Sequence, residues 1–283
     1  MTSIAFASCR GAPGVTTTVV GLAATWPGAQ RPLVVEADPD GGVLAARFGE
    51  LRADRTLAEV AVEVRRRYDH ERVVSSARAL WGAIPVVVAP PSAEQTHGAL
   101  AMAGEHLGEG LANDGHPVLL DVGRITARSP ALAMARRSVV TVLVTRPTFE
   151  GVAALATRGA ELRAAGCELG LVVIGEDPYP ADETAQGAGI ALLGVLPADA
   201  RSAATLAGGA GSSRRLRRST LWRSLADLAA RLDTMAGVGA PEAAAPDADG
   251  DTVESIERLV TPAASSWSGD APAAANGSAV VEK

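Results

Sequence analysis

The N-terminal segment combines a short apolar strand, a glycine-containing turn and the start of a helix. Ser3–Ser8 is the apolar run, and Cys9–Thr17 leads into a segment of helical spacing that extends to about Thr25. A strand, a glycine-bearing turn and a helix N-terminus with two threonines form the usual cradle for nucleotide phosphates. Such cradles normally place a lysine on the terminal phosphates, yet the only lysine of the chain is Lys283. The segment therefore predicts a nucleotide-binding fold with altered chemistry.

Further apolar runs indicate the sheet that must position this loop. With the first run they make seven strands, at 3–8, 33–37, 84–89, 117–121, 139–144, 169–174 and 191–196. Continuous β-branched runs that alternate with amphipathic helices are typical of a parallel sheet covered on both faces. We predict an α/β fold: a single doubly wound, mostly parallel seven-stranded sheet with helices on both faces. Ligands of such sheets bind beyond the carboxyl ends of the strands, at loops 9–17, 38–42, 90–92, 121–126 and 145–150.

Composition limits the other classes of function. With 47% hydrophobic and 20% charged residues in 283, the chain can bury a substantial core. Cys9 and Cys167 are too few for a disulfide framework and lack metal-ligand spacing. The sequence shows no secretory leader, and no apolar run reaches the roughly 18 residues of a membrane span. These features predict a cytoplasmic protein without a transmembrane segment.

The last part of the chain differs from the rest. We predict one folded domain over residues 1–235, followed by a disordered, acidic, Ala/Pro-rich tail over 236–283, because such a composition cannot bury enough apolar surface to fold. The tail holds eight acidic and two basic residues, a net charge of −6 that equals the charge of the whole chain. Residues 1–235 are therefore neutral. Within the tail, four apolar residues could share one helical face as a partner-binding segment, or belong to plain linker: Val253, Ile256, Leu259 and Val260.

Five segments in order resemble those of the ParA/MinD family, P-loop ATPases with a deviant Walker A loop. Arg10–Thr17 reads RGAPGVTT where the family has Lys-Gly-Gly-x-Gly-Lys-Thr-Thr. The other four are the segment after the second strand, the Walker B strand, the loop beside the nucleotide base and the closing Leu-Gly-x-Ile-Pro-x-Asp segment: Glu36–Asp40, Leu119–Gly123, Thr145–Gly151 and Leu193–Arg201. The resemblance covers roughly residues 1–235 and implies ATP and Mg²⁺ as cofactors.

The resemblance also implies a role for each matching residue. Thr16 and Asp121 correspond to the Mg²⁺ ligands, and Asp38 to the catalytic aspartate that positions the attacking water. Arg10 replaces the signature lysine, which in the family reaches the phosphates of the partner subunit in a homodimer. The nucleotide-binding positions are those of the loop and of the base-side segment: Gly11, Ala12, Pro13, Gly14, Val15, Thr16, Thr17, Arg146 and Pro147.

Val15 is the main departure from the family pattern. It stands where the Walker lysine should be, and an aliphatic side chain donates no hydrogen bond. A lost charge-assisted contact removes about 1.5–3 kcal/mol of binding free energy, and the loss in a phosphoryl-transfer transition state is larger. Ala12 replaces a glycine, and Pro13 lacks an N–H donor. These changes predict a degenerate P-loop with impaired hydrolysis.

Basic residues near the end of the domain offer a second contact surface. The last helical segment carries leucines at 221, 225, 228 and 232. Four arginines precede this segment: Arg214, Arg215, Arg217 and Arg218. The leucines favour packing on the sheet rather than a membrane. The arginines fit either a solvated flank or nonspecific contact with DNA or anionic lipid at the nucleoid or the inner membrane face.

Three hypotheses for function follow. The first is a ParA/MinD-like positioning protein, for chromosome or plasmid partition, the septum, or pilus and secretion machinery, that binds ATP weakly or not at all and contacts a protein partner or cargo. The second is an active ATP-dependent dimerisation switch in which Arg10 replaces lysine. The third is a nucleotide-free structural scaffold.

Overall fold

A computed structural model describes residues 2–11, 13–52 and 54–237, which build one eight-stranded sheet. The strands are, in chain order, β1 Ser3–Ser8, β2 Leu33–Glu36, β3 Arg78–Leu80, β4 Ile84–Val87, β5 Val118–Arg124, β6 Val140–Thr145, β7 Leu169–Ile174 and β8 Ala191–Leu196. Their order across the sheet is β3-β4-β2-β5-β1-β6-β7-β8. All neighbours pair in parallel except β3 and β4. The α/β architecture with a mostly parallel sheet is as predicted.

The sheet has one strand more than the seven expected from the sequence. The additional strand, β3, pairs antiparallel with β4 at one edge of the sheet. It has three residues, of which Arg78 and Ala79 are exposed, so it lacks the apolar run that marks the buried strands. Trp81, with a φ of 51°, and Gly82, with a φ of 72°, lie in the turn that joins it to β4.

Helices cover both faces of the sheet. They are α1 Val15–Thr25, α2 Leu44–Arg47, α3 Leu57–Val64, α4 His70–Ser75, α5 Ala93–Ala112, α6 Leu132–Ala135, α7 Phe149–Ala164, α8 Ala181–Ala188, α9 Ala200–Leu206, α10 Ser213–Arg217 and α11 Thr220–Met235, with a 3₁₀ turn at Gly49–Leu51. Most begin after a Ser, Thr or Asp whose side chain accepts a hydrogen bond from a first-turn amide, as Thr148 does for α7.

The strands separate two apolar cores. In β1, Ala5 and Ala7 point to the core formed with α3, α5, α7 and α8, whereas Ile4 and Phe6 point to the core formed with α1, α9 and α11. This alternation is the two-residue period of a strand. The four leucines of α11 are buried in the second core, against α1. The helix therefore packs on the domain, as its leucine spacing predicts.

The carboxyl ends of the parallel strands meet at one edge, where β1 leads into the loop before α1. Among the residues that the structure describes, no helix is both long and apolar enough to cross a membrane. The described residues end at Gly237, two residues beyond α11, so the predicted boundary at 235/236 remains a prediction, and residues 238–283 of the predicted tail lie outside the described part.

Candidate nucleotide-binding site

The loop between β1 and α1 leaves backbone N–H groups available at a helix N-terminus. Gly14 caps α1 with a φ of 115°, in a conformation that favours glycine, and no side chain caps the helix. The first intrahelical bond runs from Thr18 N to Gly14 O at 2.9 Å. The amides before Thr18 therefore have no partner within the helix and, with the helix dipole, favour an anion. Gly11 also has a positive φ, 65°, and Ala12 lies outside the described residues.

Val15 is part of the apolar core. Its side chain is only 5% exposed and packs in the same cluster as Phe6, Val19 and Val34. The first residue of α1 thus contributes burial to the core between the helix and the sheet, and no polar group to the loop. Thr16 and Thr17, the next two residues, are partly exposed, and Pro13 is buried.

Asp121, in the middle of β5, is hydrogen-bonded to the Thr16 side chain at the start of α1. The pairing of β1 with β5 shifts between Phe6 and Ala7, opposite Asp121 and Gly123, and such irregularities re-aim side chains at functional sites. Asp121 is 1% exposed. Burial raises the pKa of Asp121 to about 7. The Thr16 hydroxyl, which donates a hydrogen bond to the carboxyl, opposes this rise, whereas the negative charges of Glu36 and Asp38 add to it. The predicted pair of Mg²⁺ ligands is therefore brought together.

Asp38 lies against the backbone of Gly123. A Cβ built on Gly123 would be 2.0 Å from Asp38 Oδ2, and the φ of this glycine is +64°. The Asp40 amide donates to Asp38 Oδ1 at 2.9 Å, and Arg124 forms an ion pair with Asp40 at 2.9 Å. Burial raises the pKa of Asp38 above its ordinary value. The loop after β2 thus places Asp38 against the C-terminal half of β5, two residues beyond Asp121.

Glu36 has a structural role that sequence reasoning missed. Its carboxylate is 1% exposed and accepts hydrogen bonds from the amides of Val43, Leu44 and Ala89, at 2.6, 2.9 and 2.9 Å. Both carboxylate oxygens are thereby used to fix the loop after β2 to the end of β4. Burial nevertheless raises the pKa of Glu36. Its place at the end of a buried strand was the only signal in the sequence.

Comparison with known proteins identifies the fold that carries these residues. No protein-family model matches the sequence, and no curated protein matches it significantly. Solved structures do match. A ParA family ATPase from Chlorobium tepidum superposes with a TM-score of 0.67 at 14% identity, over 81% of this chain and 98% of that one. MinD from Pyrococcus horikoshii, complexed with Mg-ADP, gives a TM-score of 0.65 at 18% identity, over 84% and 98%.

A third structure, the Cyanothece McdA(D38A)–ATP complex, gives a TM-score of 0.61 at 14% identity and covers 86% of this chain and 99% of that one. The chain has the ParA/MinD fold. Almost the whole length of each of these ATPases is matched, so the similarity extends over the fold as a whole and not over a fragment of it.

The carboxylates of this ParA/MinD fold can hold a divalent cation only together with other ligands. Within the described residues, no group of three or more His, Cys, Asp or Glu side chains is arranged to hold a metal ion. Both oxygens of Glu36 are already bonded to amides, which leaves Asp121 and the Thr16 hydroxyl. Mg²⁺ is commonly bound by one or two protein ligands together with phosphate oxygens. The residues present therefore fit Mg²⁺ that arrives with a phosphate ligand.

Arg10 and Arg146 line the same surface cavity next to the loop. The cavity has a volume of about 410 Å³, and Gly11, Pro13 and Thr148 also line it. Both arginines are exposed, while Pro147 is buried. A second cavity, of about 350 Å³, is lined by Gly14, Thr17, Arg146 and Asp199. The predicted base-side segment therefore lies beside the loop.

Arg158 is a residue of this region that the sequence did not reveal. From α7 its guanidinium donates a hydrogen bond to the carbonyl of Cys9, in the loop after β1. Burial raises the pKa of the Cys9 thiol to about 11. Cys9 is therefore a buried neutral thiol. An arginine within a helix carries no local sequence signal for such a contact.

The four arginines at the end of the domain divide between two environments. Arg214 and Arg215, within α10, and Arg218, which follows it, are exposed. Arg217, the last residue of α10, is half-buried. Three of the four predicted contact residues are therefore accessible to a polyanion.

Proposed function

We propose that this chain is a ParA/MinD-like positioning protein whose nucleotide site binds ATP weakly or not at all. The observation that carries the proposal is the burial of Val15 in the apolar core, at the position of the Walker lysine. The chain has no lysine before Lys283, so no other ammonium can replace it within the domain. The fold shared with a ParA ATPase, MinD and McdA supports a role in placing other components of the cell.

The free-energy balance at the loop supports weak binding. The amides at the start of α1 and the helix dipole still favour phosphate. The missing charge-assisted contact removes about 1.5–3 kcal/mol, which is a ten- to hundredfold loss of affinity. Asp38 and Asp121 add negative charge beside the phosphate position, and without a lysine only a metal ion and the two flanking arginines offset it.

Bound Mg²⁺ would neutralise phosphate charge in this site. Thr16 and Asp121 would hold it, and the amides that precede Thr18 would orient the phosphates. Asp38, fixed against Gly123, would orient water at the carboxyl edge of the sheet. Arg146 and the segment that begins at Pro197 would contact the base.

We further propose the setting in which the protein acts. A domain over residues 1–235 would form a homodimer and bind a protein partner or cargo, and the tail over 236–283 would tether it. The protein would be cytoplasmic, at the nucleoid or the inner membrane face. Arg214, Arg215 and Arg218, which are exposed, support contact with DNA or anionic lipid.

A second candidate function is an active ATP-dependent dimerisation switch. The observation that favours it is the cavity of about 410 Å³ that Arg10 and Arg146 share beside the loop. Two guanidinium groups there could stabilise phosphate charge with forked geometry. A nucleotide-free scaffold is the remaining alternative.

Thermal unfolding with and without ATP and Mg²⁺ separates these functions. Saturation at about 100 Kd stabilises a binding protein by about 2.7 kcal/mol. We expect at most a small stabilisation at millimolar ATP and very slow turnover. Rapid hydrolysis that is lost in Arg10→Ala would replace our proposal with the switch, whereas no stabilisation at all would exclude the switch.

Substitution of Val15 tests the reason for weak binding. Val15→Lys should lower the Kd for ATP about ten- to hundredfold, because it restores the charge-assisted contact. Val15→Met is the matched control, since it lengthens the side chain without a charge. Equal affinity of the two variants would show that the loss of lysine does not limit binding.

DNA retardation tests the basic surface. Neutralising Arg214, Arg215 and Arg218 to glutamine should weaken binding and reduce its salt dependence. The control neutralises the exposed triplet Arg65, Arg66 and Arg67. Equal effects of the two triple variants would show that the arginines at α10 are not a specific DNA contact.

A further inference from the structure

An apolar cleft lies on the α1 face of the sheet, away from the loop that precedes α1. Its volume is about 530 Å³, and the rings of Phe48, Trp81 and Trp222 line it together with the backbone of 208–211. We call it the aromatic cleft. Phe48 and Trp81 meet edge to face, with ring centroids 5.7 Å apart. Clefts of this size and character bind ligands that bury apolar side chains.

The charged residues of the aromatic cleft are mostly basic. Arg31, Arg47 and Arg217 line it beside one acidic residue, Glu50. Arg47 is exposed and Arg31 is half-buried. An occupant that combines apolar side chains with negative charge therefore fits the cleft better than a neutral or basic one.

The described chain ends near one rim of this cleft. At the end of α11, Asp233 forms a side-chain hydrogen bond with Trp26. Arg31, which lines the cleft, donates to the carbonyl of Trp26 at 2.8 Å. Ala236 is buried, at 4% exposure. The last described residue, Gly237, therefore follows about one helical turn after the contact of Asp233 with Trp26.

The sequence beyond this point has the matching chemistry. Residues 238–283 contain eight acidic and two basic residues. Their one apolar cluster is 252–260, with Val253, Ile256, Leu259 and Val260 spaced for one helical face and Glu254 and Glu257 between them. The 14 residues of 238–251 can span up to about 46–50 Å, which exceeds twice the radius of gyration of about 17 Å for a domain of this size.

We propose that residues 252–260 dock in the aromatic cleft of the same chain. Ile256 and Leu259 would pack on the rings, and Glu254 and Glu257 would face Arg31 and Arg47. The inference does not depend on the proposed function, because the aromatic cleft is formed without the nucleotide loop. The tail would then cover an apolar surface, and a partner that binds the tail would expose it.

Hydrogen exchange of the full-length protein, followed by mass spectrometry, tests this docking. In Ile256→Asp/Leu259→Asp, the amides of 47–51, 81–84 and 208–217 should exchange about tenfold faster than in the wild type, because their cover is lost. The control is Ser265→Asp/Ser266→Asp, which adds the same charge outside the proposed segment and should exchange like the wild type.

Three outcomes would overturn the proposal. Equal exchange in both variants and the wild type would mean that 252–260 does not cover the cleft. Faster exchange in both variants would mean that added tail charge, and not the apolar contact, is responsible. Protection that grows with protein concentration would assign the occupant to a second copy of the chain.

Discussion

The contact between Gly123 and Asp38 allows a quantitative test of how the site is held. We predict that Gly123→Ala destabilises the protein much more than Gly115→Ala. Both glycines have a positive φ, 64° and 81°, but a Cβ on Gly115 meets no atom within 4 Å whereas one on Gly123 meets Asp38 Oδ2 at 2.0 Å. Gly115→Ala therefore measures backbone strain alone, about 1–2 kcal/mol.

Gly123→Ala must also displace the Asp38 carboxylate. The hydrogen bond from the Asp40 amide, 2.9 Å long, would be lost or weakened, which adds about 1.5–3 kcal/mol for a charge-assisted contact. The total is about 2.5–5 kcal/mol, since the two costs add. Each kcal/mol lowers the melting temperature of a domain of this size by about 2–4 °C.

A double-mutant cycle isolates the contact. Asp38→Ala removes the obstacle, so Gly123→Ala in that background should cost only the strain that Gly115→Ala measures. The coupling between positions 38 and 123 should therefore be about 1.5–3 kcal/mol, read from urea unfolding of the four proteins. Equal losses for the two glycine variants, or a coupling of zero, would refute the inferred position of Asp38.

Other predictions test the surroundings of the site. Glu36→Gln should lower the free energy of unfolding by about 1–3 kcal/mol for each backbone amide left unpaired, measured by urea unfolding; an unchanged value would contradict its structural role. Arg158→Met should speed amide exchange in the loop after β1 but not in β1 itself, since a carbonyl of that loop loses its donor. Cys9 should react with iodoacetamide about 100-fold more slowly than a free thiol at pH 8, because its pKa is raised from 9.0 to about 11; fast labelling of the native protein would exclude this. ATP without Mg²⁺ should not raise the melting temperature, because the carboxylates repel the bare phosphates.

The buried strands could be predicted because their local sequence determines them. Strands covered on both faces read as continuous apolar runs, and the predicted runs agree with β1, β2 and β4–β8 within two residues at either end. β3 could not be predicted in this way, because it has three residues, two of them exposed. Its pairing with β4 depends on the turn at Trp81, which has no strong sequence signal.

The site could be predicted only where residues are close in sequence or match a known pattern. Thr16 and Asp121 were paired through the resemblance, and the structure brings them together. Glu36 and Arg158 were missed because they contact residues that are distant in sequence. Glu36 accepts a hydrogen bond from the Ala89 amide, and Arg158 donates one to the Cys9 carbonyl. The aromatic cleft was missed for the same reason, since its rings come from three segments that only the tertiary fold joins.

The burial of Val15 explains how the fold can persist without the lysine. A lysine at the start of α1 contributes its charge to a phosphate and little to the core, whereas a buried valine contributes about 1.5–3 kcal/mol of apolar burial to every molecule, with or without ligand. A valine at this position thus gives up a contact that exists only when nucleotide is bound, and gains a contact with the apolar core that exists in every molecule. At this position the core is therefore stabilised whether or not a nucleotide is bound, which agrees with the weak ATP binding that we propose.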